Sequence, residues 1–99
     1  MTYLRVTFAR WSIDLFTPQA VDLFRRINED GVKVFRAQPG FIRYRLMRLD
    51  RNTTIAVAEW ESEMLGKPGA QAYRTWLKDS GIADLIVLDT YDGEIVASS

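Results

Sequence analysis

Among its 99 residues the chain has no cysteine and no histidine. Without cysteine there is no disulfide, no thiolate nucleophile, no zinc–cysteine site and no iron–sulfur cluster. Without histidine there is no Ser-His-Asp triad, no histidine-ligated haem and no two-histidine metal site. The one side chain whose ordinary pKa lies near neutrality is also missing, so acid–base work would fall to a retuned Asp, Glu, Tyr or Lys. No resident metal or cofactor is expected. No apolar run reaches 18 residues, so no membrane-spanning helix is expected. The opening Met1–Arg5 alternates polar and apolar and does not read as a secretory leader; with the lack of cysteine this points to the cytoplasm. Net charge is zero, which sets nucleic acid and anionic membranes aside as partners.

What is present is the composition of an ordered globule, 47% hydrophobic and 12% aromatic, so residues 1–99 are expected to form one domain. A chain this short conceals only about 60–65% of its unfolded surface, and a partner copy is the expected remedy. The charge is unevenly spread. Residues 1–51 hold ten Lys/Arg and five Asp/Glu, whereas residues 52–99 hold three and eight. The +5 and −5 halves either neutralise each other within one fold, the reading favoured here, or attract across subunits.

Tyr3–Trp11 alternates as a strand, with Leu4, Val6 and Phe8 on one side and Arg5 and Thr7 on the other. Thr17-Pro18 opens a helix. Val21, Phe24, Ile27, Val34 and Phe35 mark its apolar stripe over about five turns. Gly31 on that stripe implies a close contact or a kink. Gln38-Pro39-Gly40 ends it. Phe41–Leu49 and Thr53–Glu61 follow as a hairpin around Asp50-Arg51-Asn52. In the second arm Thr54, Ala56, Ala58 and Trp60 share one face, Ile55 and Val57 the other, so both faces need cover. Ser62 caps a short turn that Gly66-Lys67-Pro68-Gly69 interrupts, and a second helix is expected from about Ala70 to Asp79, stopped by Ser80-Gly81. The end, Leu85–Val96, is either one bulged strand or a hairpin at Asp92-Gly93; the bulged strand is preferred.

The order β-α-β-β-α-β is the α+β ferredoxin-like arrangement, an antiparallel sheet with both helices on one face. Within it, Gln38-Pro39-Gly40-Phe41-Ile42-Arg43-Tyr44 resembles the Pro-Gly-Phe opening of the second strand in dimeric α/β-barrel proteins. Ala58-Glu59-Trp60-Glu61-Ser62-Glu63 resembles the Trp-x-Ser ending of their third strand. The resemblance is closest to the antibiotic biosynthesis monooxygenase branch. It implies a homodimer joined through the sheet faces, and a small aromatic ligand held between sheet and helices. Some members of that superfamily oxygenate phenols without metal or flavin, and others degrade haem. The haem-degrading pattern of Asn, Trp and His meets Ala9, Trp76 and Ile86 here, so haem is not expected.

The resemblance implies a cofactor-independent monooxygenase acting on a phenol, quinol or anthrone; the alternatives are a non-catalytic dimer that binds a small molecule or another protein, and an isomerase or lyase on the same fold, which needs a buried carboxylate of raised pKa. For the first, the candidate catalytic residues are Trp76, Tyr44 and Arg43, and the candidate substrate-binding residues are Tyr73, Trp76, Arg10 and Phe41. Tyr73 and Trp76, one helical turn apart, either wall a pocket or form plain core. Arg43 and Arg45, placed by alternation on the same face as Phe41 and Met47, either hold an anion in a cavity or lie exposed or in inter-subunit ion pairs. Tyr44 would relay a proton, helped by a nearby cation.

Overall fold

The computed structural model describes residues 2–99. Strand β1 (Tyr3–Trp11) leads to helix α1 (Pro18–Arg26), a π turn (Ile27–Gly31) and helix α2 (Val32–Arg36). Then come β2 (Phe41–Arg48), β3 (Thr53–Trp60), helix α3 (Glu63–Asp79), a 3-10 turn (Ile82–Leu85) and β4 (Ile86–Glu94). The four strands form one antiparallel sheet in the order β2-β3-β1-β4. This is the ferredoxin-like arrangement, in which each helix crosses over one intervening strand and packs on the same sheet face. Among the described residues no helix is long and apolar enough to cross a membrane.

Thr17 accepts a hydrogen bond from the Ala20 N–H and Pro18 stands in the first turn, so the first helix starts where the sequence indicates. Its buried residues are Ala20, Leu23, Ile27, Gly31 and Phe35, while Val21 is 60% exposed. The stripe thus runs at four-residue steps from Leu23 to Phe35. In a regular α-helix each such step drifts by about 40°. The wider π turn, closed by the Val32 N–H on the Ile27 carbonyl, takes up that drift and keeps the four residues in line. Gly31 lies against α3, not against the sheet; a Cβ there would stand 2.8 Å from the Trp76 ring.

The second helix begins well before Ala70, at Glu63 and capped by Ser62, and Gly66-Lys67-Pro68-Gly69 lies inside it. The two glycines are what let it descend onto the sheet: a Cβ at Gly66 would stand 2.8 Å from the Tyr3 ring, and one at Gly69 would overlap the Trp60 indole. After Ser80, Gly81 takes a left-handed φ of 82°, ending α3. The last segment is one strand whose register with β1 runs unbroken from Ile86 to Glu94, with no bulge and no hairpin. The bulge is in β2 instead, between Phe41 and Arg43.

The core lies between sheet and helices, around Trp60, Tyr3, Trp11, Leu15, Phe35, Tyr73, Leu77 and Ile82. The residues of β1 that face it are Tyr3, Arg5, Thr7, Ala9 and Trp11. Leu4, Val6 and Phe8 face away, beside Ile55 and Val57 of β3 and Val87 and Tyr91 of β4, as the register requires. That second face is uncovered, with Val87 at 68% and Tyr91 at 65% exposure. The ion pairs Arg5–Asp92 and Arg43–Glu59 join the basic and acidic halves of the chain within the fold.

Candidate functional site

The helix-facing side of the sheet is built in rows that the register fixes. Phe41, Trp60, Tyr3 and Glu94 form the first row, and Tyr44, Ala58, Arg5 and Asp92 the second. Leu46, Ala56, Thr7 and Thr90 form the third, and Arg48, Thr54, Ala9 and Leu88 the fourth. Apart from Arg5, the two central strands therefore show the helices only alanine and threonine over three rows, between bulky Trp60 and Tyr3 at one end and Trp11 at the other. Small side chains under two helices leave space. A cavity of about 70 Å³ fills it, floored by Thr7, Ala9, Thr54, Ala56 and Ala58 and roofed by Ile27, Phe35, Tyr73 and Leu77. Beside it a broader cleft of about 650 Å³ runs between the π turn and the β2 edge, sharing Ile27, Tyr44 and Leu46 with the cavity.

Polar groups reach the cavity from two sides. From β2, the Tyr44 hydroxyl lies 3.3 Å from that of Tyr73, and either can donate. Burial pushes the Tyr73 phenol well up, reinforced by Tyr44 beside it, and burial also raises Tyr44. Both are therefore neutral hydrogen-bond donors at pH 7, and neither is a base. From β1, Arg5 lines the cavity and its Nη1 donates to Asp92 Oδ2 at 3.0 Å, while Thr7 and Thr90 hydroxyls lie 3.3 Å apart. Arg74 of α3 also reaches the lining. Trp11 Nε1 donates to the buried Thr54 Oγ1 at 2.9 Å, which satisfies both polar groups in the apolar floor.

Of the residues singled out in the sequence, Tyr44 and Tyr73 meet at this cavity. Trp76 does not line it: it stacks on Tyr73 at 5.7 Å between centroids and covers Gly31 from outside. Phe41 lies one row beyond the cavity, stacked on Phe35 at 5.4 Å and edge-on to Trp60 at 5.5 Å. Arg43 and Arg45 do not share its face. The bulge after Phe41 sends them to the uncovered side, where Arg43 is exposed and 3.9 Å from Glu59. Arg10 lies on that side too, between Thr53 and Val87. Thus neither Arg43 nor Arg10 faces the cavity of its own chain.

The residues missed were Arg5, Thr7 and Arg74. For the first two the sequence does carry a signal: Tyr3 and Trp11 have the parity of Arg5, and two large aromatics at the ends of a strand mark the side that enters the core.

Among solved structures, the fold matches SnoaB from Streptomyces nogalater, a cofactor-independent oxygenase, with a TM-score of 0.75 at 14% identity over 98% of this chain and 95% of that one. It matches HapK from Hahella chejuensis with a TM-score of 0.74 at 11% identity, covering 100% and 96%. A dimeric ferredoxin-like protein from an uncultured marine organism gives 0.73 at 14% identity, covering 100% and 98%. At these identities the likeness is one of fold. No curated protein sequence matches the chain. The sequence profile of the antibiotic biosynthesis monooxygenases matches residues 13–84, from the loop after β1 into the 3-10 turn. The chain belongs to that family, as its Pro-Gly-Phe and Trp-x-Ser segments implied.

Proposed function

We propose that the protein is a cofactor-independent monooxygenase that oxidises a small aromatic substrate, a phenol, quinol or anthrone, in the cavity between sheet and helices. The observation that carries this reading is the alanine- and threonine-floored cavity with a neutral tyrosine pair on its wall, in a chain of this family. Such a substrate brings its own reducing power. As a phenolate or enolate it passes electrons to dioxygen. At an anthrone methylene two C–H bonds and the O–O bond break; one oxygen atom becomes the new carbonyl, and the other leaves as water with both hydrogens. A hydroquinone gives a hydroxyquinone and water in the same balance. The protein supplies a dry pocket and donors aimed at the substrate oxyanion. Tyr44 and Tyr73 fill that role, because their raised pKa values keep both protons in place.

Trp76 acts through Tyr73, holding its ring by stacking, and Phe41 closes the end of the aromatic row. Arg43 and Arg10 belong to the uncovered sheet face, which we assign as the homodimer interface. Its exposed apolar side chains support that assignment, as does the dimeric state of the marine relative. The compartment proposed is the cytoplasm.

The test is oxygen uptake by purified protein in EDTA, with hydroquinone and with anthrone, against protein-free autoxidation. The expected result is protein-dependent uptake, larger with hydroquinone than with anthrone, and one atom of labelled oxygen in the product. A second reading, a binding protein without catalysis, is favoured by the absence of any carboxylate or other base among the described residues that line the cavity. Quenching of tryptophan fluorescence by the same compounds, without uptake, would establish it.

A further inference from the structure

The second row of the sheet joins two unlike polar ends across one alanine: Tyr44, Ala58, Arg5 and Asp92, all on the helix side. Tyr44 and Arg5 are two strand spacings apart, about 10 Å between backbones, and a single para-substituted ring bridges that span once the side chains reach inward. The Arg5 side chain is only 13% exposed. A guanidinium at an apolar wall needs full pairing, yet only Nη1 is used, on an aspartate that is itself partly in solvent. Nε and Nη2 make no hydrogen bond of good geometry among the described residues, although the Tyr3 hydroxyl, itself without a well-formed bond, stands beside the guanidinium. They are one edge of a fork that takes a carboxylate bidentately. The cavity is small, about 70 Å³, which among the substrate classes proposed above favours the single-ring ones.

We propose that Arg5 is a specificity residue and that the substrate is a single-ring hydroxylated aromatic carboxylate, its hydroxyl at Tyr44 and Tyr73 and its carboxylate on the free edge of Arg5. Asp92 competes for the same guanidinium and orients it. This rests on the cavity being the substrate site, as proposed above, but it is read by binding alone. A protein that prefers the acid and consumes no oxygen overturns the oxygenase reading and leaves this one standing.

The experiment is titration of the whole protein with 4-hydroxybenzoate and with uncharged 4-hydroxybenzamide, followed by tryptophan fluorescence. The acid is expected to bind at least tenfold more tightly. Arg5→Gln should abolish that preference, the acid losing far more affinity than the amide. Asp92→Asn should strengthen it several-fold, an opposite effect that loss of folding cannot imitate. Equal affinity for the two compounds, no binding of either, or a preference that survives Arg5→Gln in folded protein overturns the proposal.

Discussion

Tyr3, Tyr44 and Tyr73 are held protonated by their surroundings, and that has a measurable consequence. Burial, then the neighbouring Asp92 carboxylate, pushes the Tyr3 phenol up to about 12; burial raises the other two. Unfolded tyrosines ionise near 10. Above that pH the unfolded chain binds fewer protons than the folded one, so stability falls as pH rises. The contribution is intact below about pH 10 and declines from there through about 12. A series of thermal melts between about pH 8 and 12 should show Tm steady to about pH 10 and falling beyond it. Tyr73→Phe should flatten the decline, and an unchanged slope would show that the buried phenols are not its cause. At this scale the sequence was legible in part. Tyr44 and Tyr73 stood out as paired aromatics with polar tips, but strict alternation misplaced Arg43 because a one-residue bulge inverts every side chain beyond it. Arg5 was hidden by the apolar content of its opposite face.

Each helix carries a local irregularity that serves its packing. The π turn keeps Leu23, Ile27, Gly31 and Phe35 in line, and periodicity alone sees only a tolerated glycine there. In α3 the Gly-Lys-Pro-Gly segment has the composition of a break, yet tertiary contact overrides it: Trp60 and Tyr3 lie directly beneath the two glycines. Substituting alanine for a helical glycine ordinarily stabilises by about 1 kcal/mol. Gly69→Ala should do the reverse, destabilising by about 1–3 kcal/mol through overlap with the Trp60 indole. Chemical denaturation checks the sign. A gain in stability would mean that α3 can lift without cost. Ser62→Ala removes the side chain that accepts from the Leu65 N–H at 3.3 Å and should cost about 1 kcal/mol, read in the same way.

On the scale of the molecule, the order of elements and the family were legible because strand alternation, helix caps and two short motifs agreed with one another. The cavity was not, because alanines on a strand read equally as tight packing; only the register shows that the small residues of β1 and β3 fall side by side. The uncovered face was anticipated from β3, apolar on both sides. Val57→Asp puts a charge at the centre of that face, and the proposed homodimer should dissociate to monomers in size-exclusion chromatography with light scattering. An undisturbed dimer would place the interface elsewhere.

If substrate is oxidised in the space above the alanines, as proposed, filling that space stops the reaction. Ala56→Leu extends a side chain into the cavity floor. Oxygen uptake with hydroquinone should fall to the protein-free rate in this variant, while its Tm stays at or above that of the parent chain. Uptake that persists unchanged in a stably folded Ala56→Leu protein would contradict the account.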